Sequence, residues 1–190
     1  APFAAPEGAG PSYRYTVVLE PHNRTWLFAL ETATALPQDA RHTADGLILA
    51  RAPVRQRMRY DVSSTVAPAP AGARPDLQRA LRLPPAGNPK SLALAAQWRA
   101  GAASEEQILA RAIGFLRQGG YTYTLEPPLL GPDPVDEFIF DTRAGFCEHF
   151  ASAFVFLMRA AGVPARVVTG YQGGELNPVD RIVTVRQSDA

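Results

Sequence analysis

Alternating apolar and polar positions mark the first third of the chain as β-rich. The pattern is clearest where every second residue is large and apolar, at Tyr13, Tyr15, Val17 and Leu19. A second such face is formed by Val54, Gln56, Met58, Tyr60 and Val62, with Arg55, Arg57 and Arg59 on the opposite, solvated face. Residues 26–30 and 46–49 predict further short strands. Because a period of two residues is typical of half-buried strands, we expect an antiparallel β unit within residues 1–66.

A helical region follows a stretch rich in proline and alanine, residues 67–75, which its composition marks as a linker. Residues 76–83 predict a short helix, and Asn88 before Pro89 is typical of a helix cap. Ser104 and Gln107 have the spacing of a capping box, and the helix that they open is predicted to end at residues 119–120. Residues 127–134 carry four prolines and predict an irregular, exposed loop.

The most strongly patterned helix lies between residues 147 and 161. Its apolar positions recur with a helical period at Phe150, Phe154, Leu157, Met158 and Ala161. Gly162 is expected to end the helix, and Pro164 prevents its continuation. Residues 163–171 predict a buried strand directly afterwards. The whole pattern indicates an α+β fold, with the β unit followed by a second domain over residues 76–190.

Charge and composition exclude several classes of function. The chain of 190 residues has 19 basic and 18 acidic side chains and a net charge of +1, which argues against nucleic acid as the main partner. No apolar run approaches the ~18 residues of a membrane span, and no signal peptide is visible, so the sequence as it stands is expected to be soluble. No metal-ligand spacing occurs, so neither a metal nor another cofactor is expected.

The single cysteine, Cys147, lies where a turn enters this helix. Its spacing from Phe150 and Phe154 predicts a side chain on the same helix face, directed toward the packed layer. One interpretation is a small buried hydrophobe. The other is a reactive thiol, because a helix start offers unpaired N–H groups and a positive dipole end that favour the thiolate. Gly145 before it permits a tight turn and close approach of a ligand backbone.

The segments around this cysteine, GFCEHFA (145–151) and LMRAAGVPARVVTGY (157–171), resemble the core of the transglutaminase-like superfamily. The likeness extends to YTYTLEPP (121–128) and VDEF (135–138), and is strongest to bacterial membrane-anchored members whose catalytic domain faces the periplasm. It implies a papain-like fold over the helical and first-strand part of the core. It also implies a Cys-His-Asp site in which Cys147 forms a thioester with a glutamine side chain, and an amine or water resolves it.

The family histidine and aspartate would both follow residue 190, so the residues given are expected to hold a nucleophile without its base and to turn over little by themselves. Asp189 does not match the family aspartate. His149 is rejected as the base, because two residues along a helix rotate its side chain about 200° from that of Cys147. A packing contact or a hydrogen bond behind the site is expected of it. His22 and His42 are expected at the surface of the β-rich region.

An oxyanion on the substrate would be stabilised by the backbone N–H of Cys147. A second donor would come from Tyr121 or Tyr123, although alternate tyrosines on a short strand are more often packing residues. Glu148 is expected to favour the helix start, since an anion in the first turn is stabilising.

Three functions remain open at this point. The first is a protein-glutamine acyltransferase whose partners are a glutamine-bearing protein or peptide and an amine. The second is a cysteine peptidase or amidase of the same fold, in which water resolves the acyl-enzyme. The third is a noncatalytic binding or scaffolding module of the cell envelope. The resemblance places the domain in the periplasm of a bacterial inner-membrane protein, with membrane contact only through other parts of the parent chain.

Overall fold

A computed structural model describes residues 10–30, 32–43, 46–65 and 77–189. The chain divides into two compact units, Ala1–Pro75 and Asp76–Ala190, and each is described by itself. The predicted linker, residues 67–75, lies outside the described residues. The mixture of helices and antiparallel sheets confirms the predicted α+β class.

In the first unit, the described residues form six strands in two antiparallel sheets. They are β1 (Ser12–Leu19), β2 (Trp26–Leu27), β3 (Ala33–Ala35), β4 (Ala40–His42), β5 (Ile48–Ala50) and β6 (Met58–Thr65). The sheet orders are β1-β6-β3 and β2-β5-β4. In the longest pairing, Ser12 lies opposite Thr65 and Leu19 opposite Met58. The predicted antiparallel unit is therefore confirmed, with β3 and β4 as strands that the pattern did not predict.

Two tyrosine hydroxyls explain why the strand predicted over residues 26–30 ends early, at Leu27. The hydroxyl of Tyr60 accepts the N–H of Phe28 at 2.9 Å and donates to its carbonyl at 2.7 Å. The hydroxyl of Tyr15 accepts the N–H of Leu30 at 2.6 Å. These backbone groups thus pair with side chains. Burial raises the pKa of Tyr60, and its bond to Phe28 opposes that shift.

The second unit is mainly helical. Its helices are α1 (Pro89–Ala100), α2 (Glu105–Gln118), α3 (Pro134–Asp136) and α4 (Cys147–Ala160), with a π-helical segment at Glu137–Thr142 and 3-10 turns at Arg79–Leu81 and Gln187–Asp189. Its strands are the parallel pair β7 (Thr122–Tyr123) and β8 (Ala144–Gly145) and the antiparallel pair β9 (Glu175–Leu176) and β10 (Val183–Thr184). The helix predicted over residues 76–83 is only the 3-10 turn, because Arg82 is already extended before Pro84 and Pro85.

The core of the second unit lies around α4. Its buried residues are Ala95, Ile108, Ala112, Phe138, Ile139, Ala153, Leu157, Met158 and Ala161. Ser104 accepts the N–H of Gln107 at 3.4 Å, so the predicted start of α2 is confirmed. At the other end of α4, Gly162 has φ +79 and its N–H reaches the carbonyl of Arg159 at 3.0 Å. The predicted helix end is confirmed, and its left-handed glycine is typical of a Schellman motif.

The buried strand predicted over residues 163–171 is wrong. The segment is irregular, and Val168 is 89% exposed. Ala165 is held at both backbone groups, since its N–H donates to Ala80 at 3.0 Å and its carbonyl accepts from Arg159 at 2.8 Å. Beyond it no strand in the described part pairs with the segment, so an apolar pattern alone does not produce a buried strand.

Candidate thiol site

The chain approaches Cys147 through the short parallel pair of β7 and β8. The N–H of Thr122 donates to Arg143 at 2.8 Å, and that of Thr124 donates to Gly145 at 2.9 Å. Arg143 ends the π-helical segment in the left-handed region, with φ +49. Its guanidinium donates to the carbonyl of Gly119 at 3.3 Å, which ties the turn to the end of α2. The residues before the thiol are therefore fixed by backbone pairing on one side and by a side chain on the other.

Cys147 is the first residue of α4 and is exposed, with a free thiol. The expectation that its side chain points into the packed layer is wrong, and so is the interpretation of a buried hydrophobe. The physical reason is its position at the helix end, since the buried residues of α4 begin at Ala153. The first N–H groups of a helix have no intrahelical acceptor, so this exposed thiol lies at the positive end of the helix dipole.

His149 serves the start of α4. Its Nδ1 accepts the N–H of Phe146 at 3.4 Å, and its own N–H donates to the carbonyl of Phe146 at 2.9 Å. The ring packs edge-on against Phe146 and lies 5.6 Å from the ring of Phe138. Because Nδ1 accepts a hydrogen bond here, the proton of the neutral ring is on Nε2. These contacts give His149 a capping and packing role behind the thiol.

Gly145 is required by the close approach of that imidazole. A Cβ at this position would lie 2.6 Å from Cγ of His149 and 3.0 Å from a ring carbon of Phe138. Both distances are shorter than ordinary van der Waals contact. Gly145, which we expected to allow the close approach of a ligand backbone, thus makes room for the imidazole of His149.

The two candidate oxyanion tyrosines have different surroundings. Tyr121 is half-buried among the rings of Phe115, Phe138 and Phe150, and its hydroxyl donates to the carbonyl of Ile139 at 3.3 Å. Burial raises its pKa, and the charge of Arg143 opposes that shift. Tyr123 is 62% exposed and stacks on Phe150 with centroids 6.3 Å apart. Packing therefore engages both tyrosines, and only Tyr123 leaves its ring largely in solvent.

A polar cluster that the sequence pattern did not predict lies where α1 and α3 begin, and its members are buried except for the partly buried Asp133. We call its four members, Asn88, Ser91, Asp133 and Asp136, the Asp136 cluster. Asp136 accepts the N–H groups of Lys90 and Ser91 at 2.8 and 2.7 Å and the hydroxyl of Ser91 at 2.5 Å. In return, Oδ1 of Asn88 accepts the N–H groups of Val135 and Asp136 at 2.8 and 3.1 Å.

Asn88 was expected to cap its own helix, and this expectation is wrong. Asn88 is left-handed, with φ +58, and makes no side-chain cap to α1. Instead its side chain caps α3, while Asp136 from α3 caps α1. The signal in the sequence was the pair Asn88-Pro89, but the partner lies more than forty residues away, where local patterns cannot find it.

Among the described residues, no group of three or more His, Cys, Asp or Glu side chains could hold a metal ion. The described part of the chain also contains no helix of sufficient length and apolar character to cross a membrane.

Glu148 follows the thiol as an exposed residue in the first helical turn, where its charge stabilises the helix start. His22 and His42 belong to the first unit. His22 is partly buried and accepts the N–H of Arg24, and His42 contacts the carbonyl of Ala33 at 3.1 Å, so neither is a plain surface residue.

Comparison with known proteins gives matches over both units. Residues 92–190 match the family model described as the transglutaminase-like superfamily, and residues 1–71 match that of the TgpA N-terminal domain. A protein-glutamine gamma-glutamyltransferase of Pseudomonas aeruginosa is 45% identical over 183 residues, which are 95% of this chain and 27% of that protein. The uncharacterized protein YebA of Bacillus subtilis is 45% identical over 64 residues, which are 32% of this chain and 9% of YebA.

The crystal structure of the periplasmic domain of TgpA from Pseudomonas aeruginosa has a TM-score of 0.85 and 44% identity to this chain. The match covers 95% of this chain and 63% of that one. The chain therefore spans about a quarter of the curated transferase and under two thirds of the crystallised domain.

Proposed function

The chain belongs to the transglutaminase-like superfamily, as the motif around Cys147 predicted, and on that premise we propose that its protein is a periplasmic protein-glutamine gamma-glutamyltransferase with Cys147 as nucleophile. The observation that carries the proposal is the exposed thiol at the first position of α4. The start of a helix presents free backbone N–H groups beside the thiol, and exposure lets a protein side chain reach it. The relative named as such a transferase supports the choice of reaction.

The proposed reaction has two steps. In the first, the thiolate of Cys147 attacks the side-chain carbonyl carbon of a glutamine, and the carbon–nitrogen bond breaks to release ammonia and leave a thioester. In the second, a primary amine attacks the thioester carbon, loses a proton, and expels the thiolate, so that an amide replaces the thioester. The net change is an exchange of ammonia for the amine. The backbone N–H of Cys147 would donate to the oxyanion of each tetrahedral intermediate.

The base for this reaction is proposed to lie outside residues 1–190. In the described part of the second unit, Nδ1 of His149 already accepts a hydrogen bond from the backbone N–H of Phe146. The family arrangement supplies a histidine and an aspartate further along the chain. The histidine would accept and return the proton, and the aspartate would orient its ring. A periplasmic location and attachment to the inner membrane are likewise proposals, supported by the relative crystallised as a periplasmic domain.

A second candidate is hydrolysis by the same thiol. The exposure of Cys147 favours it, because water that reaches the thioester competes with the amine. In that reaction, water replaces the amine in the second step, and the products are glutamate and ammonia.

The test uses the full-length protein with a fluorescent primary amine and a glutamine-containing acceptor protein. We expect covalent labelling of the acceptor and release of ammonia, both lost in Cys147→Ala. Ammonia without labelling would select hydrolysis. Equal labelling by the wild type and Cys147→Ala would overturn the assignment of the nucleophile, and neither product from the wild type would favour a binding module.

A further inference from the structure

The Asp136 cluster places a buried carboxylate at the point where the chain turns toward the thiol. Asn88, Ser91 and Asp136 are 4%, 0% and 4% exposed. The carboxylate of Asp136 receives three donors, all from the first turn of α1: the N–H groups of Lys90 and Ser91 and the hydroxyl of Ser91. A buried charge is retained only when hydrogen bonds and dipoles replace its hydration, and a helix start supplies both. These three hydrogen bonds therefore hold the side chain of Asp136 at the start of α1.

The anchoring is reciprocal. The side chain of Asn88, directly before α1, accepts the backbone N–H groups of Val135 and Asp136 at the start of α3. The backbone N–H of Asn88 donates to Asp133 at 2.6 Å. Each helix start is thus capped by a side chain from the other. A shift of α3 along α1 would break bonds in both directions, so the cluster fixes the position of Asp136 against α1.

From Asp136 a continuous, packed path leads to the thiol. Asp136 is followed by the π-helical segment, whose Phe138 and Ile139 are each 1% exposed. The carbonyl of Phe138 accepts the N–H of Arg143 at 3.0 Å, which closes the segment. The ring of Phe138 then lies against His149, whose Nδ1 holds the N–H of the residue before the thiol. Each step is a buried contact or a hydrogen bond.

We propose that Asp136 is a positioning residue for Cys147. Because its carboxylate is fixed to the start of α1, Asp136 determines where the π-helical segment that follows it places the start of α4, and therefore the thiol. The inference rests on the proposed function, in that it names the group that holds the nucleophile in place. Asp136 touches no reacting atom in this scheme. Its effect passes through Phe138 and His149. A residue that only stabilised the core would change the free energy of unfolding and leave the reactivity of the folded thiol unchanged.

The experiment measures alkylation of Cys147 in the full-length protein by iodoacetamide at pH 7, followed by mass spectrometry of the tryptic peptide of residues 144–159. The main variant is Asp136→Asn, which keeps the shape but places amide hydrogens against backbone donors. Ser91→Ala is a milder second variant, because it removes one donor and leaves the carboxylate. Ile108→Ala is the matched control, since Ile108 is 0% exposed in the same core but lies on α2. All rates are taken where circular dichroism shows each variant folded.

We expect alkylation about tenfold slower in Asp136→Asn, because a thiol displaced from the exposed first position of α4 is less accessible to the reagent. Ser91→Ala should be slower by about threefold, and Ile108→Ala should react like the wild type despite a lower melting temperature. Unchanged rates in both cluster variants, or equal slowing in the Ile108→Ala control, would overturn the proposal. If Asp136→Asn does not fold, Ser91→Ala decides alone. Alkylation needs no glutamine or amine, so this result is separate from the test of transfer activity.

Discussion

The imidazole Nδ1 of His149 accepts the backbone N–H of Phe146 at 3.4 Å, immediately before the thiol-bearing residue of the second unit. This bond satisfies one of the donors that a helix start leaves unpaired. It also occupies the nitrogen that a base would need. The residue that looks closest to a catalytic histidine in the sequence is thereby engaged in holding the helix start.

Replacement of His149 should separate capping from catalysis. We expect His149→Ala to lower the free energy of unfolding by about 1–2 kcal/mol, because the N–H of Phe146 loses its acceptor. His149→Gln should lose less, since a glutamine at the third helical position can reach back to the same N–H. Chemical denaturation measures both, and amine incorporation is followed beside it. Complete loss of incorporation in a folded His149→Gln would show that the imidazole itself takes part in the reaction.

Gly145→Ala should destabilise the second unit through overpacking. The added Cβ would lie 2.6 Å from Cγ of His149, and such crowding costs about 1–3 kcal/mol. The double variant with His149→Gly should recover part of the loss, because both atoms nearest the added Cβ, which are Cγ and Cβ of His149 at 2.6 and 2.7 Å, are gone. Thermal unfolding of the two single variants and the double variant measures this coupling. Strict additivity would contradict the proposed contact.

Tyr121→Phe should have a small effect on catalysis. The hydroxyl donates to Ile139, so its loss should lower the free energy of unfolding by about 0.5–1.5 kcal/mol and leave amine incorporation nearly unchanged. A true oxyanion donor would instead cost about a hundredfold or more in kcat. Tyr123→Phe is the matched comparison, because Tyr123 also packs on Phe150 but its side chain is mostly exposed. A large fall in kcat in either variant would identify that hydroxyl as an oxyanion donor.

The same substitution should change the response to alkaline pH. Burial raises the pKa of Tyr121 in the folded protein above the value of about 10 in an unfolded chain. Its contribution is therefore fully present below about pH 10 and is lost as pH rises through the folded value. Urea midpoints measured from pH 8 upward should fall more steeply in the wild type than in Tyr121→Phe. Parallel curves would count against a raised pKa.

Arg159→Lys should loosen the exit of α4. The guanidinium donates to Ala165 at 2.8 Å and to Arg82 at 2.9 Å, and a lysine ammonium cannot reproduce this fork. We expect a loss of about 1–2 kcal/mol in the free energy of unfolding, measured by denaturation. Arg117→Lys, a conservative change in the last turn of α2, is the control and should be near neutral. An equal effect in both would mean that the fork contributes nothing specific.

The sequence predicted the parts of the fold that depend on local period. The strand pattern from Tyr13 to Leu19 and the apolar face of α4 both describe how side chains alternate along a single element. The end of α4 followed equally well from Gly162, because a left-handed helix terminus is a local backbone requirement. The family resemblance, carried by the residues around Cys147, supplied the superfamily and the fold.

Failures occurred where the outcome depends on a distant partner. Residues 163–171 have the composition of a strand, but a strand needs a neighbour to pair with, and the segment remains irregular. Asn88 has a cap's chemistry, but its side chain serves α3 because Asp136 already occupies the start of α1. The helical period could not predict that Cys147 is exposed. The period gives the direction of a side chain around the helix axis, but not how close the residue lies to the end of the helix.

The π-helical segment Glu137–Thr142 has a consequence for how this family can vary in length. A π turn holds one more residue than an α turn, so deletion of a single residue here leaves a sound helix but rotates all later positions by about 100°. Neighbouring side chains can adjust to a substitution in the segment. A deletion instead changes the angle around the helix axis between Asp136 and the residues that lead to Cys147. Insertions and deletions should therefore be excluded from this stretch far more strictly than changes of residue type, and tolerated more readily in the proline-rich loop before it.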